Sequence, residues 1–199
     1  MLKRIVVLVS GGGTNLQALI DAQARDELGA GEIVQVISSN PDAYAIKRAE
    51  KAGIPCEVIP RSFYKAREDY DAAILAALQR ADADLVVLAG FLHILGSEIV
   101  SNYTRRIINV HPSLVPAFCG DGYYGIRVHR AALTYGVKVT GATVHFVNEV
   151  TDGGQIILQK AVEVLPSDTP ETLQRRVMEQ AEWELLPRAV ALVCNAKSN

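Results

Sequence analysis

The chain has 199 residues, 49% of them hydrophobic, with three cysteines and a formal net charge of −2. That length and apolar content suit one domain with a sizeable core and exclude a disordered chain. Without a long basic block the charge argues against an extended nucleic-acid footprint, although backbone N–H groups can still hold a small anion.

The apolar run Ile5–Val9 follows Lys3 and Arg4 and ends at once in Ser10-Gly11-Gly12-Gly13. It is too short to span a membrane and lacks a small-residue cleavage pattern, so residues 4–9 read as a buried strand. The expectation is a cytoplasmic protein with no membrane attachment. Cys56, Cys119 and Cys194 are scattered, and no CxxC pair supports a zinc knuckle or a disulfide framework.

Ser10-Gly11-Gly12-Gly13-Thr14-Asn15 leads into helical spacing at Leu16, Leu19 and Ile20. Strand, glycine turn and helix point free N–H groups at a phosphate, with Thr14 or Asn15 as helix cap. The competing reading is a tight turn with no ligand. No Gly-Lys-Ser/Thr follows, the GxGxxG spacing is absent, and the second strand, Ile33–Ile37, ends in Ser38-Ser39-Asn40 without an acid. These features argue against a dinucleotide.

Residues 42–52 read as a short helix ending at Gly53, and residues 54–59 as a short strand. Tyr70, Ala73, Ile74, Ala77 and Leu78 give the segment Tyr64–Ala83 a helical period. Arg67 near its start is poorly placed for the helix dipole, which suits a side chain that meets an anion. Leu85–Ala89 reads as a strand covered on both faces. Phe91, Leu92, His93, Ile94 and Leu95 then leave its C-terminal end, either as core packing or as an apolar wall for a flat ligand.

In Arg105–Pro116, RRIINVHPSLVP, Asn109 and His111 alternate with Val110, so both leave one face of a strand that Pro112 ends. Residues 117–125 form a loop with the Tyr123-Tyr124 pair, and Arg127–Tyr135 a short helix stopped by Gly136. Val139–Val147 reads as a strand carrying His145, a residue open to a structural or a functional role. Asp152 with Gly153-Gly154 forms a second polar centre in a tight turn. Ile156–Gln159 starts the last strand. Thr169-Pro170 opens a final helix with an apolar stripe at Leu173, Val177, Ala181 and Leu185, interrupted at Pro187, beyond which Ala189, Val190, Leu192 and Val193 read as a helical continuation past a kink. Lys197–Asn199 reads as a frayed end. No linker, repeat or composition change appears, so the chain reads as one α/β domain over residues 1–199.

Asn109, His111 and Asp152 form a group able to move protons and to stabilise a developing oxyanion. Ser113 and Cys119 are weak candidates for a covalent nucleophile. Without HxxxH or HExxH no metal is expected. The set suits direct attack of a substrate amine on an activated acyl group.

Four blocks carry a resemblance to a known family: VVLVSGGGTNLQALIDA at 6–22, VVLAGFLHIL at 86–95, INVHPSLVPAF at 108–118 and GATVHFVNEVTDGGQIILQ at 141–159. The chain resembles the folate-dependent phosphoribosylglycinamide formyltransferases almost end to end. The resemblance implies a Rossmann-like three-layer αβα fold, its central sheet mostly parallel with antiparallel strands in the C-terminal part. A nucleotide-phosphate half would occupy about 1–100, and a folate-binding and catalytic half about 101–199. It implies a formyl transfer from 10-formyltetrahydrofolate, as co-substrate, to the amine of glycinamide ribonucleotide. Asn109, His111 and Asp152 would be catalytic. Gly12, Gly13, Thr14, Asn15, Arg67, Gly90 and Glu182 would bind the nucleotide substrate. Leu88, Phe91, Leu92, His93, Ile94 and Leu95 would line the folate pocket, and Val147, Asn148, Glu149, Val150 and Thr151 would read the pterin-like head.

Glu182 fits the family pattern when the helix is aligned on Pro187, whereas counting from the helix start shifts the register by one. Departures from the pattern are the longer loop Cys119–Gly125, His93 where arginine is frequent, and Gln155 where proline is frequent. The same catalytic core occurs in enzymes that formylate methionyl-tRNA or hydrolyse the formyl donor. The chain's length argues against the extra domains those enzymes usually carry. A non-enzymatic ligand-binding domain would have to explain the polar group as structural. Monomer and homodimer both remain open.

Overall fold

The computed structural model describes residues 2–196; the expected frayed end at Lys197–Asn199 lies outside them. In chain order the elements are β1 (Lys3–Val9), α1 (Thr14–Ala24), β2 (Gly31–Ser38), α2 (Tyr44–Lys51), β3 (Cys56–Val58), a 3-10 turn (Arg61–Phe63), α3 (Arg67–Arg80), β4 (Leu85–Leu88) and α4 (Ser97–Asn102). Next come β5 (Ile107–His111), α5 (Ile126–Tyr135), β6 (Val139–Phe146), β7 (Ile156–Glu163), α6 (Pro170–Val177), a π-helical turn (Met178–Glu182) and α7 (Trp183–Asn195).

The seven strands form one sheet in the order β3-β2-β1-β4-β5-β6-β7. The first five in this order pair in parallel, and β6 and β7 are antiparallel. This is the α/β sheet with an antiparallel C-terminal part that the resemblance implied.

Strand β1 shows why its sequence is uninterrupted by polar residues. Ile5, Val7 and Val9 point into one core, with Leu16 and Leu19 of α1, Ala45 of α2, and Leu173, Leu186 and Val190 of the last helices. Val6 and Leu8 point into the other, with Tyr70, Ile74 and Leu78 of α3 and Ile99 of α4. A strand sandwiched by helices has no solvent face, so alternation disappears. Each fully buried side chain of this size contributes about 1.5–3 kcal/mol, so the centre of the sheet is a rigid base for whatever stands at its ends.

The chain order reverses between β1 and β4. The turn after β1 and the segment after β4 therefore leave the same end of the sheet on either side of a crevice, the usual ligand position in open α/β sheets.

Two details differ from expectation. Helix α4, six residues long, is too short for its period to stand out. Gly13, in the left-handed conformation at φ 70°, holds the N-cap position of α1, and no side chain caps it. Thr14 and Asn15 are therefore the first helical residues, not caps. The last helix continues past Pro187, as expected, and α7 runs through it to Asn195. Thr169 caps α6 as expected, in a capping box with Thr172 and Pro170 behind it.

Candidate active site

Strands β5 and β6 build the polar centre. Their antiparallel register sets Asn109 opposite His145 and His111 opposite Thr143. Directly opposed residues share a face, so four polar side chains stand together. Pro112 then turns the chain away, and Thr143 fixes the turn. Its hydroxyl donates to the Ser113 carbonyl at 2.7 Å and accepts the Val115 N–H at 3.0 Å.

Asp152 enters from the loop between β6 and β7. That loop closes through the Phe146 N–H on the Gln155 carbonyl and the Gly153 N–H on the Val150 carbonyl, both 2.9 Å. Asp152 sits at its tip with φ 54°. One carboxylate oxygen, Oδ2, accepts the Gly120 N–H at 2.9 Å and lies 3.4 Å from His111 Nδ1. The other, Oδ1, lies 3.4 Å from Asn109 Nδ2 and 3.5 Å from His145 Nε2.

Backbone carbonyls set the histidine tautomers. His111 Nε2 is 2.9 Å from the Phe118 carbonyl, and His145 Nδ1 is 2.8 Å from the Phe146 carbonyl. A carbonyl only accepts, so these nitrogens carry hydrogen. The remaining nitrogen of each ring faces Asp152. Burial lowers the pKa of His111, opposed by the Asp152 charge and the Phe118 carbonyl. Burial also resists ionisation of Asp152, but its contacts with His145 and His111 and the Gly120 N–H outweigh it and hold the carboxyl below its ordinary range.

On one side of this centre lies the glycine turn. The Ser10 hydroxyl lies 2.7 Å from that of Ser39 and accepts the Leu92 N–H at 2.9 Å, which ties the turn to the segment after β4. Arg48 of α2 donates to the Gly12 carbonyl at 2.9 Å. Asn15 donates to Glu182 at 2.7 Å, and both side chains are buried. Burial pushes the Glu182 carboxyl up to about 7, against the effect of that hydrogen bond. On the other side stand Leu88 to Leu95, with Leu92 and Ile94 exposed and Leu95 buried.

The turn, the polar centre, this wall and the loop Val147–Thr151 line one crevice of about 590 Å³, together with Gly120–Gly125, Gln174, Met178 and Glu182.

A model of the formyl transferase family matches residues 3–190. The trifunctional purine biosynthetic protein adenosine-3 of Drosophila melanogaster is 43% identical over 97% of the chain, which spans 14% of that protein's length. The phosphoribosylglycinamide formyltransferase of Escherichia coli is 41% identical over 94% of the chain and 85% of its own. The crystal structure of glycinamide ribonucleotide transformylase 1 from Symbiobacterium toebii superposes with a TM-score of 0.90 at 42% identity, covering 97% of this chain and 88% of that one. The chain belongs to the formyl transferase family.

In this formyl transferase the structure gathers nearly every residue singled out in the sequence. Asn109, His111 and Asp152 meet. Gly12, Gly13, Thr14, Asn15, Gly90 and Glu182 share the crevice with Leu88, Phe91, Leu92, His93, Ile94, Leu95 and the residues from Val147 to Thr151. Arg67 is the exception. Its guanidinium donates to the Ile94 and Leu95 carbonyls and pairs with Asp71. The arginine that reaches the glycine turn is Arg48. At the family departures, the ring of His93 packs edge-on against Tyr70 and Phe91, and Gln155 accepts from Arg105.

The register of Glu182 is explained by the π turn. Met178–Glu182 is wound more widely than an α-helix, which absorbs one residue between α6 and α7. The helix start and Pro187 are therefore each in register with their own side of the turn. Alignment on Pro187 selects Glu182, the residue whose carboxylate accepts from Asn15.

His129 of α5 was not distinguished by any sequence signal. It is fully buried, and neither ring nitrogen has a hydrogen-bond partner among the described residues. Burial, and then the charge of His111, lower its pKa to about 4. The folded state thus keeps it neutral while the unfolded chain takes up a proton below about pH 6.5. Stability must fall with pH across the interval between those values. Between pH 7 and pH 5 this residue should remove on the order of 2 kcal/mol of folding stability. Urea melts at the two pH values should show that loss in the wild type and a smaller one in His129→Leu. An equal loss in both would refute the assignment.

Among the described residues no helix is long and apolar enough to cross a membrane, and no group of three or more His, Cys, Asp or Glu is placed to hold a metal ion.

Proposed function

We propose that this chain transfers the formyl group of 10-formyltetrahydrofolate to the primary amine of glycinamide ribonucleotide, in the cytoplasm and as a step of purine biosynthesis. The observation that carries this reading is one carboxylate, Asp152, contacting Asn109, His111 and His145 between a glycine turn and an apolar wall. The names of the E. coli and S. toebii proteins support formyl transfer and the acceptor, and the formyl transferase family supports a folate-derived donor. On this reading the single domain divides its work, with the nucleotide phosphate held mainly by residues before about 100 and the folate and the chemistry served mainly by those after.

The phosphate meets the first-turn N–H groups of α1, which lack intrahelical partners, and the backbone of Gly12 and Gly13. Glu182, whose only hydrogen-bond partner among the described residues is Asn15, takes the substrate amine side. The folate lies along Leu88–Leu95, with its head read by backbone groups of Val147–Thr151. Arg67 has no part in the phosphate site, since its guanidinium is already committed to the wall.

The neutral amine attacks the formyl carbon. Negative charge grows on the formyl oxygen, where the Asn109 N–H and His111 stabilise it. That charge raises the proton affinity of His111, and Asp152 supports the resulting imidazolium through Nδ1. The proton released by the amine passes through the group to the departing folate nitrogen, which restores the starting state. No covalent enzyme intermediate is needed: the Ser113 hydroxyl is buried and donates to the Ala117 carbonyl, and burial raises the Cys119 thiol pKa.

The test is incubation of the purified chain with 10-formyltetrahydrofolate and, separately, glycinamide ribonucleotide, methionyl-tRNA or water as acceptor. The expected outcome is nucleotide-dependent release of tetrahydrofolate, at least about a hundredfold faster than release with water, as positioning of the amine requires. Release at the same rate without nucleotide would mark a hydrolase, and formylated methionyl-tRNA would mark the other relative; either result would sink the proposal.

A further inference from the structure

His145 is 2% exposed and stands directly across from Asn109. The pairing of β6 with β7 shifts by one residue between Val144 and His145. Such a bulge re-aims a side chain beside a site. The Nδ1–H is committed to the Phe146 carbonyl at 2.8 Å, so Nε2 of the neutral ring offers a lone pair. Asn109 Nδ2 lies 3.3 Å from it. The same Nε2 lies 3.5 Å from Asp152 Oδ1, so a protonated Nε2 would donate to that carboxylate and leave the Asn109 amide without an acceptor on the ring; with the ring neutral, Nε2 accepts from Asn109.

An asparagine amide is nearly symmetrical in shape, and only its partners decide which end points where. Here both partners accept: His145 Nε2, and Asp152 Oδ1 at 3.4 Å. Turned around, the amide oxygen would face a lone pair and a carboxylate. We infer that His145 is a positioning residue, which by presenting Nε2 as an acceptor fixes the NH₂ end of Asn109 toward the reacting centre. One of the two hydrogens goes to His145. The other lies on the Asp152 side in a long contact, free to be exchanged for a formyl oxygen. This role rests on the formyl-transfer reading above, but the tautomer and the amide orientation do not.

The test has two arms. In the first, ¹⁵N shifts of the ring nitrogens of His145 are measured in the wild-type protein at neutral pH. A hydrogen on Nδ1 and none on Nε2 is expected; a hydrogen on Nε2 overturns the inference whatever the protein catalyses. In the second, formyl transfer is compared in His145→Phe and His145→Gln, each in wild-type and Asn109→Ala backgrounds, with circular dichroism confirming the fold. His145→Phe should lower kcat roughly ten- to thirtyfold with KM within about twofold, as expected when one donor is misaimed. His145→Gln, whose carboxamide oxygen can accept from Asn109, should recover most of it and also serves if the phenylalanine variant fails to fold. In the Asn109→Ala background His145→Phe should cost little more, because the group it positions is gone. Equal losses in both backgrounds, or no advantage of glutamine over phenylalanine, would overturn the inference. Absence of transfer by the wild type with any acceptor would instead strike the proposed function.

Discussion

Asp152→Asn should slow formyl transfer roughly a thousandfold while leaving substrate KM values and the melting temperature near those of the wild type. The substitution keeps the volume and removes the charge. The carboxylate faces donors on both sides, with the Gly120 N–H on Oδ2 and the Asn109 amide on Oδ1, and Oδ2 also faces the His111 Nδ1 that becomes a donor in the imidazolium. An asparagine must present its own NH₂ to one of those sides, and a donor then faces a donor. The imidazolium of His111 also loses its counter-charge at the step where the formyl oxygen becomes negative. Loss of a general acid or of an oxyanion donor each costs about two to three orders of magnitude, and this variant weakens both together. Steady-state kinetics with a melting curve decide the matter: turnover within about tenfold of wild type would remove Asp152 from the mechanism. Acid should mimic the substitution. The depressed carboxyl stays ionised, and its interactions persist, until pH falls through its folded pKa, below the ordinary 3.8.

Gly154→Ala should be the most damaging single-methyl change in the loop. A Cβ at Gly154 would lie 1.7 Å from the Phe146 carbonyl oxygen. That oxygen is backbone, so it can yield only if the strand end moves, and it is the same oxygen that receives the Nδ1–H of His145. Displacing it disturbs the closure of the loop on Gln155, the aim of His145 and the placement of Asp152. The expected cost is about 1–3 kcal/mol of stability from overpacking, and about a hundredfold in kcat from misplacing the catalytic group. Gly153→Ala is the matched control. Its Cβ would lie 2.6 Å from Cγ1 and 2.8 Å from Cβ of Val150, so that exposed loop residue must shift as a whole, but no strand end has to move. Denaturant melts and kinetics on the pair should separate them clearly; equal, small effects would show that the strand end yields easily.

These two cases mark what local pattern can and cannot convey. The run Ile5–Val9 announced a doubly covered strand because burial on both faces leaves its trace in every residue. Asn109 and His111 could be placed on one face because the period of a strand is two, and the glycine turn because its conformational demands are local. His145 was visible as a histidine in an alternating run, but its opposition to Asn109 depends on an antiparallel pairing and a bulge that involve residues tens of positions apart. Arg48 and Arg67 look equally available in sequence; only packing decides that α2 delivers one to the turn while the carbonyls of Ile94 and Leu95 hold the other. His129 carries no signal, since a buried histidine on a helix and an exposed one are written the same way.

The wide turn at Met178–Glu182 also bears on how this chain can change over time. Inserting a residue into an ordinary helix rotates everything beyond it by about 100°, which would carry Glu182 away from Asn15 and Leu185 out of the core. A π turn takes up the added length locally and returns the later residues to their bearing. It lies between a firmly capped start at Thr169 and a buried segment around Pro187. Length and angular phase are therefore separable at this point of the chain. A change of one residue in length can therefore be absorbed within those five residues while the carboxylate under the glycine turn keeps its bearing.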